Sequence, residues 1–313
     1  MDIKHAVASR NQIPGDRSPL DWNNRQKLVP FVFLLPSLAL FITVILYPIC
    51  YVLWLSAQDW NLLKPHLGAQ FVWFANYAEL LKSKDFWSSI LITLKFTFWS
   101  VLIEMLLGFA LALFLNREYY CKKLVQTVLL APIMMSQVAS GITLKFILAP
   151  DFGYLNYFLK FFKIPGPNWL GDVRFALPSV IAIDVWLQTS FVFLVLYAGL
   201  QALPSEPEEA AAVDGASKWQ IIRYVIIPLL KPVWLVILII RIMDALRAFN
   251  TIYVMTQGGP GNSTKTIQML DYQLSFTYFK VGSGASLAII IVFLILAFGG
   301  ILIKQLNTNQ GND

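Results

Sequence analysis

The chain has 313 residues, of which 57% are hydrophobic and only 13% are charged. A soluble domain has about 25% charged residues, so this balance indicates a membrane protein. The formal net charge is +6, but the basic residues are scattered among apolar runs, so no nucleic-acid partner is expected. Cys50 and Cys121 lie far apart and indicate neither a disulfide framework nor a metal site.

Six apolar segments have the length of about 20 residues that a bilayer core requires. In chain order they cover residues 29–57, 87–115, 124–149, 177–203, 229–254 and 285–306. The sequence therefore predicts an all-α, polytopic protein with six transmembrane helices. A membrane domain is expected over residues 28–306, with tails at residues 1–27 and 307–313.

The first 27 residues are polar and lack an apolar core followed by a cleavage site, so they are interpreted as a cytoplasmic tail and not as a signal peptide. Six spans place both termini on the same side of the membrane. Lys and Arg are more frequent in the tails and in the two loops that share this side. We therefore expect both termini in the cytoplasm.

The loop at residues 205–228, between the fourth and fifth segments, contains two capping boxes: Ser205 with Glu208, and Ser217 with Gln220. The first predicts an alanine-rich helix that Gly215 ends, and the second predicts a helix that Pro228 limits. A helix, a sharp bend and a second helix are therefore expected on the cytoplasmic side. The pattern on its own equally allows a hairpin that only connects two spans.

Residues 209–228 resemble the signature loop of binding-protein-dependent ABC importer permeases, which reads Glu-Ala-Ala, three residues, Gly, nine residues, Ile-x-Leu-Pro. The matching residues are Glu209, Ala210, Ala211, Gly215 and Pro228. Asp214, Gly215 and Ala216 together have the form common in the sugar branch of that family. Val225 and Ile227 replace the usual Ile and Leu but conserve apolar volume. Residues 249–264 are also similar to the end of the fifth span in maltose- and glycerol-phosphate-type permeases.

The resemblance implies the permease subunit of a type I importer for sugars or related polyols, located in a bacterial cytoplasmic (inner) membrane. The expected partners are a second homologous permease in a heterodimer, two ATPases that contact the signature loop, an external solute-binding protein and membrane lipid. ATP and Mg²⁺ would be used by the ATPases, so this chain is expected to bind no cofactor or metal and to catalyse no reaction. Its glycine-rich residues 258–266 lack the glycine that a phosphate-binding loop needs before Lys265.

Among the charged side chains within the predicted spans, five need a specific explanation: Glu104, Asp184, Arg241, Asp244 and Arg247. Each costs about 2.5–3.5 kcal/mol at the centre of a membrane helix, so they are expected to face the bundle or a wet cavity. Two stripes at helical spacing carry most of them: Asp184, Gln188 and Phe191 on the fourth segment, and Asp244, Arg247 and Thr251 on the fifth. They predict either a translocation path or a structural ion pair at the partner interface.

Amide groups and aromatic rings suit the hydroxyls and C–H faces of sugars. Gln188, Asn250 and Tyr253 supply such groups. Together with the charged residues of the two stripes, they make up the predicted substrate path: Asp184, Gln188, Asp244, Arg247, Asn250 and Tyr253. Residues 151–176 and 256–284 are polar stretches on the predicted outer side, and they are candidate docking surfaces or simply long loops.

Three other functions compete with a sugar importer. A secondary transporter would show more spans or an internal repeat, and neither is evident. An intramembrane enzyme would need catalytic groups within the spans, whereas His5 and His66 lie outside them and no paired carboxylates or metal-ligand spacing occur there. An importer of glycerol phosphate or an amino acid is the alternative within the resembled family.

Overall fold

The computed structural model describes residues 33–117 and 120–310. These residues belong to two compact units, with the boundary between Trp54 and Leu55. The first unit contributes most of helix α1 (Phe33–Ser56), which includes a π-helical turn (Ile42–Leu46). The predicted tail at residues 1–27 lies outside the described residues.

The second unit contains twelve further helices within the described residues. They are α2 (Ala75–Lys82), α3 (Lys84–Leu115), α4 (Lys122–Leu130), α5 (Gln137–Ile147), α6 (Tyr154–Phe161), α7 (Val173–Gln201), α8 (Glu206–Val213), α9 (Lys218–Ile221), α10 (Ile227–Leu246), α11 (Asn250–Met255), α12 (Ile267–Tyr272) and α13 (Val281–Gln310). Two short antiparallel strands, β1 (Gln58–Asp59) and β2 (Gln70–Phe71), pair before α2. Helix α13 extends into the predicted tail at residues 307–313 as far as Gln310.

The prediction of six spans is confirmed when a bent helix pair is counted as one span. Five helices or continuous helical stretches are long and apolar enough to cross a bilayer, and the bent pair is the sixth. The third predicted span, residues 124–149, is bent, because Lys122–Met134 and Gln137–Ile147 meet at 102°. A 3₁₀ turn (Ala131–Met134) containing Pro132 precedes the bend. Proline has no N–H to continue the α-helical pattern there.

Helices α3, α7 and α10 form the main apolar core. Phe96 and Phe193 are almost completely buried within it. Gly108 on α3 permits the close approach of α7, since a Cβ atom at this position would lie 2.6 Å from Cγ1 of Val192. A larger residue at position 108 would therefore separate two of the three helices that carry the buried charges described below.

The middle of the stretch at residues 256–284 is buried, although the sequence suggested a candidate docking surface there. Thr264, Lys265 and Thr266 are at most 4% exposed. The backbone N–H of Ile267 donates to Oγ1 of Thr93 on α3 at 2.9 Å, and the Lys265 ammonium pairs with Asp85 at 3.2 Å. This stretch therefore returns into the bundle and places α12 in an apolar cluster with α3 and α13.

Candidate functional sites

The loop at residues 205–228 ends its first helix with a left-handed glycine. Gly215 has φ +84°. The N–H of Gly215 donates to the carbonyl of Ala212 at 3.1 Å, and the N–H of Ala216 donates to that of Ala211 at 3.0 Å. These two bonds form a Schellman motif, in which glycine adopts the left-handed conformation at low cost. The predicted bend at Gly215 is confirmed.

The two predicted capping boxes have different outcomes. Ser217 and Gln220 form a complete box, with the Ser217 N–H donating to Oε1 of Gln220 at 2.7 Å. The box predicted for Ser205 and Glu208 was wrong, because the Ser205 side chain makes no capping hydrogen bond. Ser205 has α-helical backbone angles, whereas a capping residue usually has extended ones.

Pro228 does not end the second helix, contrary to the prediction. Helix α9 continues through a π-helical turn (Ile222–Ile226) into α10, and Pro228 lies in the first turn of α10. Local π-helical adjustments are one way in which membrane helices accommodate proline. The loop is therefore continuous with the fifth membrane span, so a force applied to α9 would reach α10 directly.

The signature residues of this loop are mainly on the surface. Glu209, Ala210, Asp214, Gly215 and Pro228 are exposed. Ala211 and Ala216 are half-buried and pack against the main core. Helix α8 thus has one small-residue contact with the bundle. Its first turn also carries the carboxylates of Glu206, Glu208 and Glu209.

A polar cavity of about 340 Å³ lies among α5, α7, α10 and α11. Five of the six residues predicted for a substrate path line it: Asp184, Gln188, Asp244, Arg247 and Asn250. Gln137 on α5 also lines the cavity and accepts a hydrogen bond from Asn250 at 3.1 Å. Gln137 was missed because its only sequence signal is its place after the Pro132 bend.

Tyr253 lies outside the cavity lining. Its hydroxyl is 3.2 Å from that of Tyr272, and its ring stacks on Phe249 with centroids 5.2 Å apart. Tyr272 also contacts Phe276. Tyr253 therefore attaches α11 to α12, although its aromatic ring made it a candidate for the substrate path.

The cavity lies where the fifth predicted span is interrupted. Helix α10 ends at Leu246, and α11 begins at Asn250 after Phe249, whose φ of −132° and ψ of −53° depart from the helix. Backbone of this kind is tolerated at membrane depth where it lines a cavity or is buried in protein. Arg247 lies in the interruption, and its Nε donates to the carbonyl of Met243 in the last turn of α10 at 3.1 Å.

A buried ion cluster forms one wall of the cavity. Arg241 is 2% exposed, and its Nε and Nη2 donate to the two carboxylate oxygens of Glu104 at 2.7 and 3.1 Å. Nη2 also contacts Asp184 at 3.4 Å, and Nη1 donates to Asp244 at 3.0 Å. This arrangement joins α3, α7 and α10. Bidentate pairs between arginine and carboxylate are strong and geometrically specific.

The sequence allowed the charged stripes to be either a translocation path or a structural ion pair at the partner interface, and the ion cluster bears on this choice. Arg241 forms its ion pairs within this chain, and Asp184 and Asp244 also face the cavity. The same residues therefore serve both as structural ion pairs and as cavity lining. Sequence reasoning noted Arg241 but omitted it from the path, although its spacing of three residues from Asp244 was a usable signal.

Residues 151–176 present a second exposed feature, helix α6. Tyr154, Tyr157 and Phe161 are each at least 77% exposed. Asn156, on the buried side, donates to the carbonyls of Pro150 and Pro167 and accepts from the Trp169 indole. Of the two candidate docking stretches, this one presents its side chains outward.

Residues 105–308 match the family described as binding-protein-dependent transport system inner membrane component. The chain is 34% identical over 286 residues to the trehalose/maltose transport system permease protein MalF of Thermococcus litoralis, covering 90% of this chain and 94% of the relative. It is 36% identical over 279 residues to the trehalose transport system permease protein SugA of Mycobacterium tuberculosis, covering 89% of each.

Among solved structures, the fold is similar to that of a chain in the crystal structure of a bacterial ABC transporter involved in the import of the acidic polysaccharide alginate. The TM-score is 0.80 at 22% identity, covering 93% of this chain and 99% of the other. The alginate transporter in complex with a periplasmic protein matches with a TM-score of 0.77. The chain thus has the fold of an ABC importer permease and belongs to the family of binding-protein-dependent transport system inner membrane components.

Proposed function

We propose that this chain imports sugars or related polyols as one of two permease subunits and forms half of the translocation path. The observation that carries this proposal is the cavity at the break between α10 and α11, where Gln188, Asn250 and Gln137 present amide groups. Such groups both donate and accept hydrogen bonds, as sugar hydroxyls require. Relatives named for trehalose and maltose transport support the sugar class.

The exposed helix α8 and the bend at Gly215 are proposed to be the contact with the ATPases. The small side chains of Ala210 and Ala212 would allow a groove to approach closely, and Glu209 would pair with a basic residue. Because the helical path runs on from α9 into α10, closure of the ATPases would move the wall of the cavity. ATP and Mg²⁺ belong to those partners in this proposal.

The complete importer is proposed to contain a homologous second permease, two ATPases and an extracytoplasmic solute-binding protein. The exposed face of α6 is the candidate contact for the solute-binding protein. The chain would lie in the bacterial inner membrane with both termini and the loop at residues 205–228 in the cytoplasm. The solved alginate transporter in complex with a periplasmic protein supports such an assembly.

Reconstitution in liposomes tests the proposal. Uptake of radiolabelled trehalose or maltose should require ATP, both permeases, the ATPases and the binding protein, and omission of any one should abolish it. Uptake by this chain alone would contradict the proposal and favour a secondary carrier. A cysteine at Ser217, in a background without Cys50 and Cys121, should react with a membrane-impermeant reagent only from the cytoplasmic side.

A further inference from the structure

Both guanidinium groups that line the cavity are paired with carboxylates. Four of the five N–H groups of Arg241 are already engaged by Glu104, Asp184 and Asp244. The side chain of Arg241 is also 2% exposed. A phosphate or carboxylate entering the cavity would therefore find this guanidinium neutralised and largely covered.

Arg247 is the more exposed cation, with 54% of its side chain accessible, yet it too has a carboxylate partner. Its Nη2 lies 3.5 Å from Oδ1 of Asp244, and its Nε donates to a backbone carbonyl. Asp244 thus lies between the two arginines, with one oxygen toward each. It is itself 47% exposed, so its carboxylate also faces the cavity.

Across the whole cluster, three carboxyl groups meet two guanidinium groups. With all five groups ionised, the carboxylates outnumber the guanidinium groups and no positive charge is left over. Recognition of a phosphate or carboxylate relies on arginine or lysine that can form charge-assisted hydrogen bonds. A neutral solute has different needs, since its hydroxyls donate to carboxylates and amide oxygens and accept from amide N–H groups.

From this balance we infer that Asp244 sets the charge selectivity of the cavity, which admits neutral polyhydroxylated solutes and rejects those with a phosphate or carboxylate. Asp244 acts in two ways. Its exposed oxygens accept hydrogen bonds from hydroxyl groups, and its charge cancels the arginines that would otherwise attract anions. The inference rests on the proposed function in sugar import and narrows its substrate class.

The test measures binding to the purified permease–ATPase complex in nanodiscs without the solute-binding protein, so that selection by that protein does not contribute. The probes are radiolabelled trehalose and trehalose 6-phosphate, which share the sugar and differ in charge. Wild type should bind trehalose at least about tenfold more tightly than trehalose 6-phosphate. The ratio of these two affinities is then compared among variants. Asp244→Asn should shift the ratio toward the phosphate by about tenfold, the size expected for one partly screened charge near an anion.

Two further variants make the result specific. Arg247→Gln removes a cation from the same cavity and should shift the ratio in the opposite direction. Glu79→Gln removes one negative charge from the exposed face of α2, outside the cavity lining, and should leave the ratio unchanged. Equal elution volumes and unfolding temperatures would show that each variant is folded.

Equal binding of the two probes by wild type, or an unchanged ratio in Asp244→Asn, would overturn the inference and leave sugar import standing. Preference of wild type for trehalose 6-phosphate would overturn it in favour of an anionic substrate. If wild type and all variants bind neither probe, and maltose and glycerol 3-phosphate also fail to bind, the proposed sugar function fails together with the inference.

Discussion

The loop around Gly215 is held by contacts between residues close in sequence, and the ion cluster around Arg241 by contacts between residues far apart in sequence. The loop is fixed by hydrogen bonds between residues three to five apart, such as Ala216 to Ala211. In the cluster, Arg241 pairs with Asp184 and Glu104, which precede it in the sequence by 57 and 137 positions. The loop is exposed and the cluster buried, so changes in the loop should affect partners, and changes in the cluster should affect the fold and the cavity.

Removal of Glu104 should have the largest effect, because it leaves the Arg241 guanidinium buried without its main partner. Breaking a buried pair from one side typically costs about 3–5 kcal/mol. Glu104→Ala should therefore lower the unfolding temperature of the detergent-purified protein strongly, and Glu104→Gln should lower it less because a hydrogen-bond acceptor remains. Glu79→Ala on α2 is the matched control. A wild-type unfolding temperature for Glu104→Ala would show that the cluster does not support the fold.

Asp271 on α12 is a buried carboxyl group that, unlike Glu104, has no arginine partner among the described residues. Its Oδ1 is buried without a hydrogen-bond partner among the described residues, and burial raises its pKa from 3.8 to about 7. The folded state therefore favours the protonated form. Its contribution to stability is present below about pH 4 and is lost as the pH rises to about 7.

Replacement of Asp271 by Asn should remove this dependence on pH. Between pH 5 and pH 8, wild type should lose about 2–3 kcal/mol relative to Asp271→Asn. Chemical unfolding of both proteins at the two pH values measures the difference. Parallel loss of stability in the two proteins would show that the carboxyl group is not desolvated in the folded state.

Glu209→Ala should produce a smaller change, confined to partner binding. Glu209 is exposed on α8, so its removal should leave the unfolding temperature unchanged. A charge-assisted contact with a basic residue of an ATPase is worth about 1.5 kcal/mol, or roughly tenfold in affinity. Titration of the purified ATPase onto the permease pair in nanodiscs measures this effect. Wild-type affinity would remove Glu209 from the docking surface.

The same difference in range explains what the sequence could predict. The Schellman turn at Gly215 and the box of Ser217 with Gln220 depend on neighbouring residues, and both predictions were confirmed. The box at Ser205 failed although its pattern was correct, because Ser205 has helical backbone angles. The number of spans followed from apolar length, and Pro132 marked the bend in the third span only in retrospect.

The cavity was harder to predict because its geometry depends on tertiary contacts. Helical spacing gathered Asp184, Gln188 and Asp244, and all three line the cavity. No proline or glycine marks the helix break before Asn250, so the fifth span was expected to be continuous. The pairing of Glu104 with Arg241 across 137 positions left no pattern in a single sequence.

We propose that the loop at residues 205–228 transmits the action of the ATPases and that the cavity binds the sugar, each as a separate function. The direct test compares Gly215→Val with Asn250→Ala in the reconstituted importer, recording trehalose-stimulated ATP hydrolysis together with uptake. Among the described residues other than its chain neighbours, no atom lies within 4 Å of a Cβ at position 215, so valine there mainly strains the left-handed backbone, by about 1–2 kcal/mol. Gly215→Val should lower the uptake per ATP hydrolysed without changing the trehalose concentration for half-maximal uptake, and Asn250→Ala should raise that concentration at unchanged coupling. Wild-type coupling in Gly215→Val, or an unchanged half-maximal concentration in Asn250→Ala, would contradict the claim.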